Sequence, residues 1–249
     1  METDKRKQTI KFYVAVTVLV LILIIIAIIM IKYEVEGERN MPFKLSKIIV
    51  VSTAEGVEQQ GTDKKWAFNI FQNNDIYFYI DKNNEYKSEK QMYIDSVSIE
   101  NIEVINSPQI GEIKAYMPNS SEGRMYSYAE DSIVDEVLKY NGATRSDSRN
   151  LKIGNQGGNI AIRFSNTGIG KYESNDDEQI VHDGTLIKKL EKTTDDIKFT
   201  VNFDFIIVIN KNKYKAKITL DLPCGDIVEN GTANYEKSDM KDIIFKREK

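Results

Sequence analysis

The sequence predicts a mainly β domain, a sandwich-like arrangement of antiparallel sheets with one or two short helices, preceded by a single N-terminal transmembrane helix. Two observations lead to this fold class. An uncharged apolar run occupies residues 12–31, and several segments after it alternate between apolar and polar residues. Alternation with period two indicates strands, because successive side chains of a strand point to opposite faces of a sheet. The composition, 41% hydrophobic and 29% charged, is that of a globular chain and excludes a disordered one.

The apolar run at residues 12–31 has the length of a membrane span. At a rise of about 1.5 Å per residue, a helix over this run is about 30 Å long, the hydrocarbon thickness of a bilayer. No cleavage site of small residues follows the apolar core, so we interpret the run as an uncleaved anchor and not as a signal peptide. The residues expected to meet lipid include Phe12, Tyr13, Thr17, Leu21, Ile25 and Ile31.

Charges that flank the span predict its orientation. Residues 1–11 carry four basic side chains, whereas three glutamates follow closely after the span. The positive-inside rule therefore makes residues 1–11 a cytoplasmic tail and places the rest of the chain outside the cytoplasm, which predicts a single-pass cell-membrane protein. Residues 32–44 are polar and predict a stalk, and residues 45–249 form the predicted extracytoplasmic β domain.

The clearest strand pattern is a hairpin near the end of the chain. Residues 197–209 and 214–222 alternate strictly, and the polar segment 210–212 separates them. The polar side of this hairpin predicts a sheet with one face in water. Residues 76–80 are apolar on both faces, which predicts a central strand, and Asn73–Asp75 before them predict a turn.

Other segments carry less regular patterns. Residues 45–53 and 111–117 predict strands. The apolar positions change parity within residues 93–105, which predicts a bulge near Glu100 or a strand that changes sheets. Residues 150–164 predict a hairpin around a Gly-Gly pair. Helix patterns are confined to residues 131–140 and 185–191.

Charge and cysteine content exclude several classes of protein. The net charge is −4, and the part after the anchor is acidic, so we expect no nucleic-acid partner. With Cys224 as the single cysteine, an intramolecular disulfide is impossible. A thiol enzyme would need Cys224 beside His182, the single histidine; we predict instead that Cys224 is a small buried residue, with an intermolecular disulfide as the alternative.

An acidic cluster is the leading candidate for a metal site. Hard cations such as Ca²⁺ prefer clustered carboxylate oxygens, and a solvated acidic turn is the alternative interpretation. Calcium is thus a possible ligand, and no other cofactor is expected. The candidate ligands are Asp176, Asp177, Glu178 and Asp183.

An aromatic cluster is the candidate binding surface. Aromatic and methionine side chains in loops suit the recognition of peptides or sugars, although packing in the core would also explain them. The candidate residues are Tyr116, Met125, Tyr126 and Tyr128.

These features predict a membrane-anchored surface protein that binds without catalysing a reaction. The lipid bilayer is the partner of residues 12–31, and an envelope component or a membrane protein is the expected partner of the β domain. Phosphate-binding loops and zinc-ligand spacings do not occur in the sequence. An envelope hydrolase that uses Asp and Glu carboxylates is the alternative, and a structural subunit of an envelope complex is a third hypothesis.

Overall fold

The protein is described here from a computed structural model, which covers residues 2–59, 67–119, 127–129, 131–133, 137–143, 151–174 and 184–248. Within these ranges the chain is mainly β, with one long apolar helix and three short ones. The helices are α1 (Glu2–Glu36), α2 (Leu186–Lys189), α3 (Thr194–Ile197) and α4 (Ile227–Asn230). The strands are β1 (Phe43–Gln59), β2 (Ala67–Lys82), β3 (Ile94–Asn106), β4 (Glu112–Tyr116), β5 (Leu138–Gly142), β6 (Leu151–Ile153), β7 (Gly158–Glu173), β8 (Phe199–Ile209), β9 (Asn212–Leu222), β10 (Thr232–Lys237) and β11 (Lys246–Glu248).

Helix α1 contains the one segment of the described chain that is long and apolar enough to cross a membrane. This segment runs from Ile10 to Glu36 with a mean hydropathy of 3.6, and no part of its most apolar window is buried. Leu21 and Ile25, for example, are 53% and 55% exposed. A helix that is apolar on all sides and uncovered by protein is suited to a lipid environment.

The strands form two sheets in which antiparallel pairing dominates. Sheet A has the order β10-β1-β2-β7-β4, and sheet B has the order β11-β9-β8-β3-β5-β6. The β5–β6 pair is parallel, and the other pairs are antiparallel. Strands β1 and β2 pair from Phe43 opposite Lys82 to Gln59 opposite Ala67, so the central strands of sheet A are long.

Side chains from both sheets meet in one main hydrophobic cluster. The ring centroid of Phe78 in sheet A lies 4.8 Å from that of Phe205 and 5.8 Å from that of Phe203, both in sheet B. Tyr140 of β5 adds a polar link, because its hydroxyl donates to the Ala161 carbonyl at 2.7 Å and accepts from the Ala161 N–H at 3.0 Å. Burial raises the pKa of Tyr140, which keeps this hydroxyl protonated.

A second, smaller hydrophobic cluster lies under α2 and α4, and buried polar side chains of sheet A lie between the two clusters. We call Ser52, Gln72, Asn74 and Asn166 the polar belt; all four are fully buried. The Asn74 Oδ1 accepts from Ser52 Oγ at 2.7 Å and from Gln72 Nε2 at 3.3 Å. Its Nδ2 donates to the carbonyl of Phe164 at 3.2 Å, so Asn74 links β1, β2 and β7. The second cluster contains Ala54, Phe68, Ile70, Ile169, Leu186, Ile187, Ile197, Ile227 and Val228.

Several predicted strands are confirmed. The β8–β9 hairpin closes through Asn210 and Lys211, whose φ angles of 46° and 67° suit a tight two-residue turn. Strand β1 covers the predicted segment 45–53, strand β4 lies within the predicted segment 111–117, and β2 is central in sheet A. The predicted bulge is present, because the pairing of β3 with β8 shifts after Glu100, although β3 stays within sheet B.

Other local predictions are wrong. Asn73–Asp75 form no turn, because β2 runs through them and their side chains bond to neighbouring strands. The predicted hairpin at 150–164 is wrong, since β6 pairs in sheet B and β7 pairs in sheet A. Within the predicted helix 131–140, residues 138–140 belong to strand β5, where pairing with β3 overrides the helical pattern. The predicted helix at 185–191 is confirmed as α2.

The face of β8 that carries its even-numbered residues, predicted to be in water, is more buried than the alternating pattern predicts. Asn202 and Ile206 lie on this face and are 6% and 1% exposed. Thr200, on the same face, donates to Asp221 at 2.7 Å and accepts from Asn106 at 3.2 Å. Thr200 therefore occupies this face through bonds to neighbouring strands and not through contact with water alone.

The segment between α1 and β1 is short and well packed. Helix α1 ends at Glu36, and the N–H of Glu38 donates to the carbonyl of Phe245 at 2.7 Å. Met41 and Phe43 are buried in the main cluster. Residues 32–44, which the sequence predicts as a stalk, thus include the helix end, a short connection and the first core residues.

Candidate functional site

A groove of about 460 Å³ lies on the outer face of sheet A, the face turned away from the main cluster. Along β2, even-numbered residues such as Ile76 and Phe78 point into the core, so odd-numbered ones point to the outer face. In β7 the register places Arg163 beside Asp75 of β2 and Tyr116 of β4. We call this site the outer groove; Glu55, Phe71, Tyr116, Tyr128, Arg163 and Thr167 contribute to its lining.

An ion pair lies at one end of the outer groove. Arg163 donates to both carboxylate oxygens of Asp75, from Nε at 2.6 Å and from Nη2 at 2.9 Å. The two side chains are 23% and 14% exposed, so water screens the pair only in part. Burial by itself would lower the pKa of Arg163, but the hydrogen bond and charge of Asp75 raise it overall, with a further contribution from Glu55. The guanidinium therefore stays charged and fixed in position.

Tyr128 covers this guanidinium. Its ring centroid lies 4.2 Å from the Arg163 Cζ, which is a cation–π contact. Backbone bonds hold Tyr128 in place, because Ala129 N–H donates to Met117 O and Asn119 N–H donates to Ser127 O, both at 2.8 Å. Burial raises the pKa of Tyr128 far above its ordinary value, so the hydroxyl remains a hydrogen-bond donor.

The middle of the outer groove is polar and its far end is more apolar. Ser165 Oγ donates to Asn73 Oδ1 at 2.5 Å, and Thr53 Oγ1 donates to Glu55 Oε1 at 2.8 Å. A second depression of about 470 Å³ continues from Phe71 past Gly168. The two depressions together form an elongated site with aromatic walls and hydrogen-bonding groups along its length.

The structure brings two of the four predicted binding residues into this site. Tyr116 and Tyr128 both line the outer groove. Met125 and Tyr126 lie outside the described residues. The role of these tyrosines in binding stays a prediction.

The predicted calcium ligands Asp176, Asp177, Glu178 and Asp183 lie outside the described residues, as does His182. In the part of the chain that the structure covers, no group of three or more His, Cys, Asp or Glu side chains could hold a metal ion. The calcium site therefore stays a prediction from the sequence.

Cys224 is a free, partly buried thiol beside the polar belt. Its N–H donates to Ser52 Oγ at 3.0 Å, and its Sγ lies 3.3 Å from the same oxygen and 3.4 Å from the carbonyl of Ala233. These contacts are those of a packed side chain, although the residue is only partly buried and not fully buried as the sequence predicts.

Sequence reasoning did not find Asp75, Arg163 or Glu55 as members of a site. Each is a charged residue at an outward position of a strand, a pattern that is typical of any solvated sheet face. Their convergence depends on the register of β1, β2 and β7, which brings residues 88 positions apart into a bidentate pair. An observation that could have drawn attention to Arg163 is its position between the inward-facing Ile162 and Phe164.

No protein-family model matches this chain, and neither a curated protein nor a solved structure matches it.

Proposed function

We propose that the protein is a single-pass membrane protein whose β domain, a sandwich of sheets A and B, lies outside the cytoplasm and binds a component of the cell envelope in the outer groove. The observation that carries the proposal is the convergence of two tyrosines, a fixed arginine and a glutamate on one exposed face. Such a set combines flat apolar surface with oriented hydrogen-bonding groups, which is the composition of binding sites for polar ligands.

The position of the outer groove supports a role in binding at a distance from the membrane. Strand β1 begins at Phe43, close to the end of α1, and reaches the groove at Glu55. Twelve residues of strand separate the two, which is about 40 Å at about 3.3 Å per residue. With α1 in the bilayer, the groove would face ligands well beyond the lipid headgroups.

The carboxylates favour binding over hydrolysis. A glycosidase of the usual kind needs two free carboxyl groups that flank the bond to be cleaved. Glu55 is the one carboxylate among the described residues that line the outer groove, and neighbouring Asp75 is held by Arg163. The alternative of an envelope hydrolase would therefore need a second carboxylate from outside this set.

The anchor and its orientation are tested by cysteine labelling in intact cells. In a Cys224→Ser background, Lys188→Cys on the β domain should react with a membrane-impermeant maleimide before the cells are opened. Gln8→Cys, on the other side of the span, should react only after permeabilisation. Protection of Lys188→Cys in intact cells would place the domain in the cytoplasm and refute the proposed topology.

The role of the outer groove is tested by photo-crosslinking of the full chain in its native membrane. A benzoylphenylalanine at position 71 should give one defined adduct with an envelope component, identified by mass spectrometry. The same probe at Tyr235, an exposed residue on edge strand β10, is the matched control. Tyr128→Ala should reduce the adduct at position 71 about tenfold or more, as expected for a central aromatic contact. Equal adducts at both positions would contradict a specific groove.

A further inference from the structure

A second cleft lies where α1 meets the β domain. Its volume is about 720 Å³, and three cationic side chains, two carboxylates and a tyrosine line it. We call it the junction cleft; it is lined by Tyr33, Glu38, Lys211, Asn212, Lys213, Arg247 and Glu248. None of them takes part in the outer groove.

The depth of the junction cleft follows from its contacts with α1. The apolar run of the sequence ends at Ile31, so Tyr33 lies about 3 Å further along the helix axis. The headgroup layer on each side of a bilayer is about 5–8 Å thick. Tyr33 accepts a hydrogen bond at its hydroxyl from the N–H of Arg247 at 2.8 Å. With α1 in the membrane, Arg247 and the neighbouring hairpin tip therefore lie level with the headgroups.

The connection between helix and domain is too constrained to lift the cleft away from the bilayer. Gly37 N–H donates to Tyr33 O at 2.8 Å, and Glu38 N–H donates to Phe245 O at 2.7 Å. Lys246 Nζ bonds to Glu34 on the last turn of α1. Together with the bond from the Arg247 N–H to the Tyr33 hydroxyl, the bonds of Glu38 and Glu34 make three attachments between residues 33–38 and the segment at 245–247, which leaves little freedom for a hinge.

Two cationic side chains of the junction cleft are not paired with a carboxylate among the described residues and could contact an anion. Glu248 accepts from Lys213 at 2.8 Å and from Lys215 at 2.7 Å, so its charge is already matched. In the described ranges neither the side chain of Lys211 nor that of Arg247 has a carboxylate partner. The Arg247 Nη2 bonds to Asn212 Oδ1, and the N–H of Lys211 donates to Asp95 at 2.7 Å. Among the residues that line the cleft, three are cations and two are carboxylates, so the lining itself carries a surplus of one positive charge.

Tyrosines surround the same end of the domain. Tyr33 lines the junction cleft, and Tyr93, 40% exposed, donates its N–H to Asn210 at the hairpin tip at 3.4 Å. Burial raises the pKa of Tyr214, and Glu38, Arg247, Tyr86 and Tyr33 are all close enough to influence it. Tyrosine is enriched where a protein crosses the membrane–water interface, because its ring is apolar and its hydroxyl is polar.

We propose that the junction cleft binds the phosphate headgroup of an anionic membrane lipid, with Lys211 and Arg247 as the cations that contact it. This inference rests on the membrane anchor of the proposed function but not on the outer groove. Each lysine or arginine near an anionic bilayer surface strengthens attachment about fivefold. The lipid would hold the domain at a fixed tilt on the bilayer.

The depth is tested with the full chain in nanodiscs of phosphatidylcholine that contain a headgroup-attached nitroxide. In the Cys224→Ser background, a fluorophore at Lys213→Cys should be quenched strongly. The same fluorophore at Lys188→Cys, near the opposite end of β1, should be quenched little. Equal quenching at the two positions would overturn the inference and leave the anchor intact, whereas failure of the chain to remain in the nanodisc would overturn both.

Lipid choice is tested by native mass spectrometry of the full chain in detergent with equal amounts of phosphatidylglycerol and phosphatidylcholine. Lys211→Glu should lower the bound ratio of phosphatidylglycerol to phosphatidylcholine about fivefold or more. Lys217→Glu, an exposed position on β9 six residues from Lys211, is the control and should leave the ratio within about twofold. An unchanged ratio in Lys211→Glu would overturn the proposal. Loss of bound phosphatidylglycerol on addition of millimolar glycerol phosphate would assign the cleft to a free phosphate and overturn the lipid assignment.

Discussion

The Asp75–Arg163 pair provides a sharp test of how the outer groove is built. Asp75→Asn keeps the size of the side chain but removes its charge and one of the two acceptors of Arg163. The bonds are 2.6 and 2.9 Å long, and both side chains are less than a quarter exposed. Loss of one charge-assisted bond, together with an uncompensated guanidinium, should lower the free energy of unfolding by about 2–3 kcal/mol. Urea unfolding of the full chain in detergent, followed by circular dichroism, measures this difference.

A surface pair serves as the control for this experiment. Lys188 and Glu229 are 2.5 Å apart, but both are more than half exposed, so Glu229→Gln should cost less than about 0.5 kcal/mol. The double variant Asp75→Asn with Arg163→Gln should recover about 1 kcal/mol or more, because it removes the unpaired charge. A cost for Asp75→Asn no larger than that of Glu229→Gln would refute the view that this pair stabilises the groove.

Three further predictions concern stability. Tyr140→Phe removes a hydroxyl that bonds twice to the backbone of β7, and should lower the free energy of unfolding by about 1–3 kcal/mol in urea titrations; no change would mean that water replaces the hydroxyl. Gly37→Ala would bring a Cβ within 2.4 Å of the Phe245 carbonyl, so it should speed hydrogen exchange near the junction far more than Gly168→Ala, which has a similar positive φ but open space. Two lysines of β9 lower the pKa of Glu248, so its stabilising contribution is present above the ordinary glutamate pKa and disappears as the pH falls through the lowered value. In acid titrations Glu248→Gln should reduce the loss of stability at that pH, and an identical acid transition would contradict the assignment.

Local patterns in the sequence predicted the elements whose partners are close in the chain. The β8–β9 hairpin is an example, because strict alternation continues up to a polar turn and resumes directly after it. The apolar character of α1 likewise requires no knowledge of the rest of the fold. In both cases the physical cause of the structure lies within one segment.

Long-range pairing explains the predictions that were wrong. Asparagine is common in turns, yet Asn74 is buried in β2 because Ser52 and the carbonyl of Phe164 form hydrogen bonds with its side-chain amide. Residues 138–140 carry a helical pattern, yet they become strand β5 through pairing with residues 97–99 of β3. The site was predicted in part for the same reason. The tyrosines lie close together in the sequence and can be recognised there, whereas the Asp75–Arg163 pair can be recognised only from the register of sheet A.

The attachment of α1 to the C-terminal segment sets an order of events during synthesis. Lys246 and Arg247 bond to residues of α1 that precede them by 212 and 214 positions. At a translation rate of about 5–20 residues per second, roughly 10–40 s separate the appearance of the two partners. Throughout that interval α1 has been synthesised, but the residues that it contacts at 245–247 have not. A nascent chain would thus remain free to turn about residues 37–40 while it leaves the ribosome, and the final orientation would be reached only when β11 is complete.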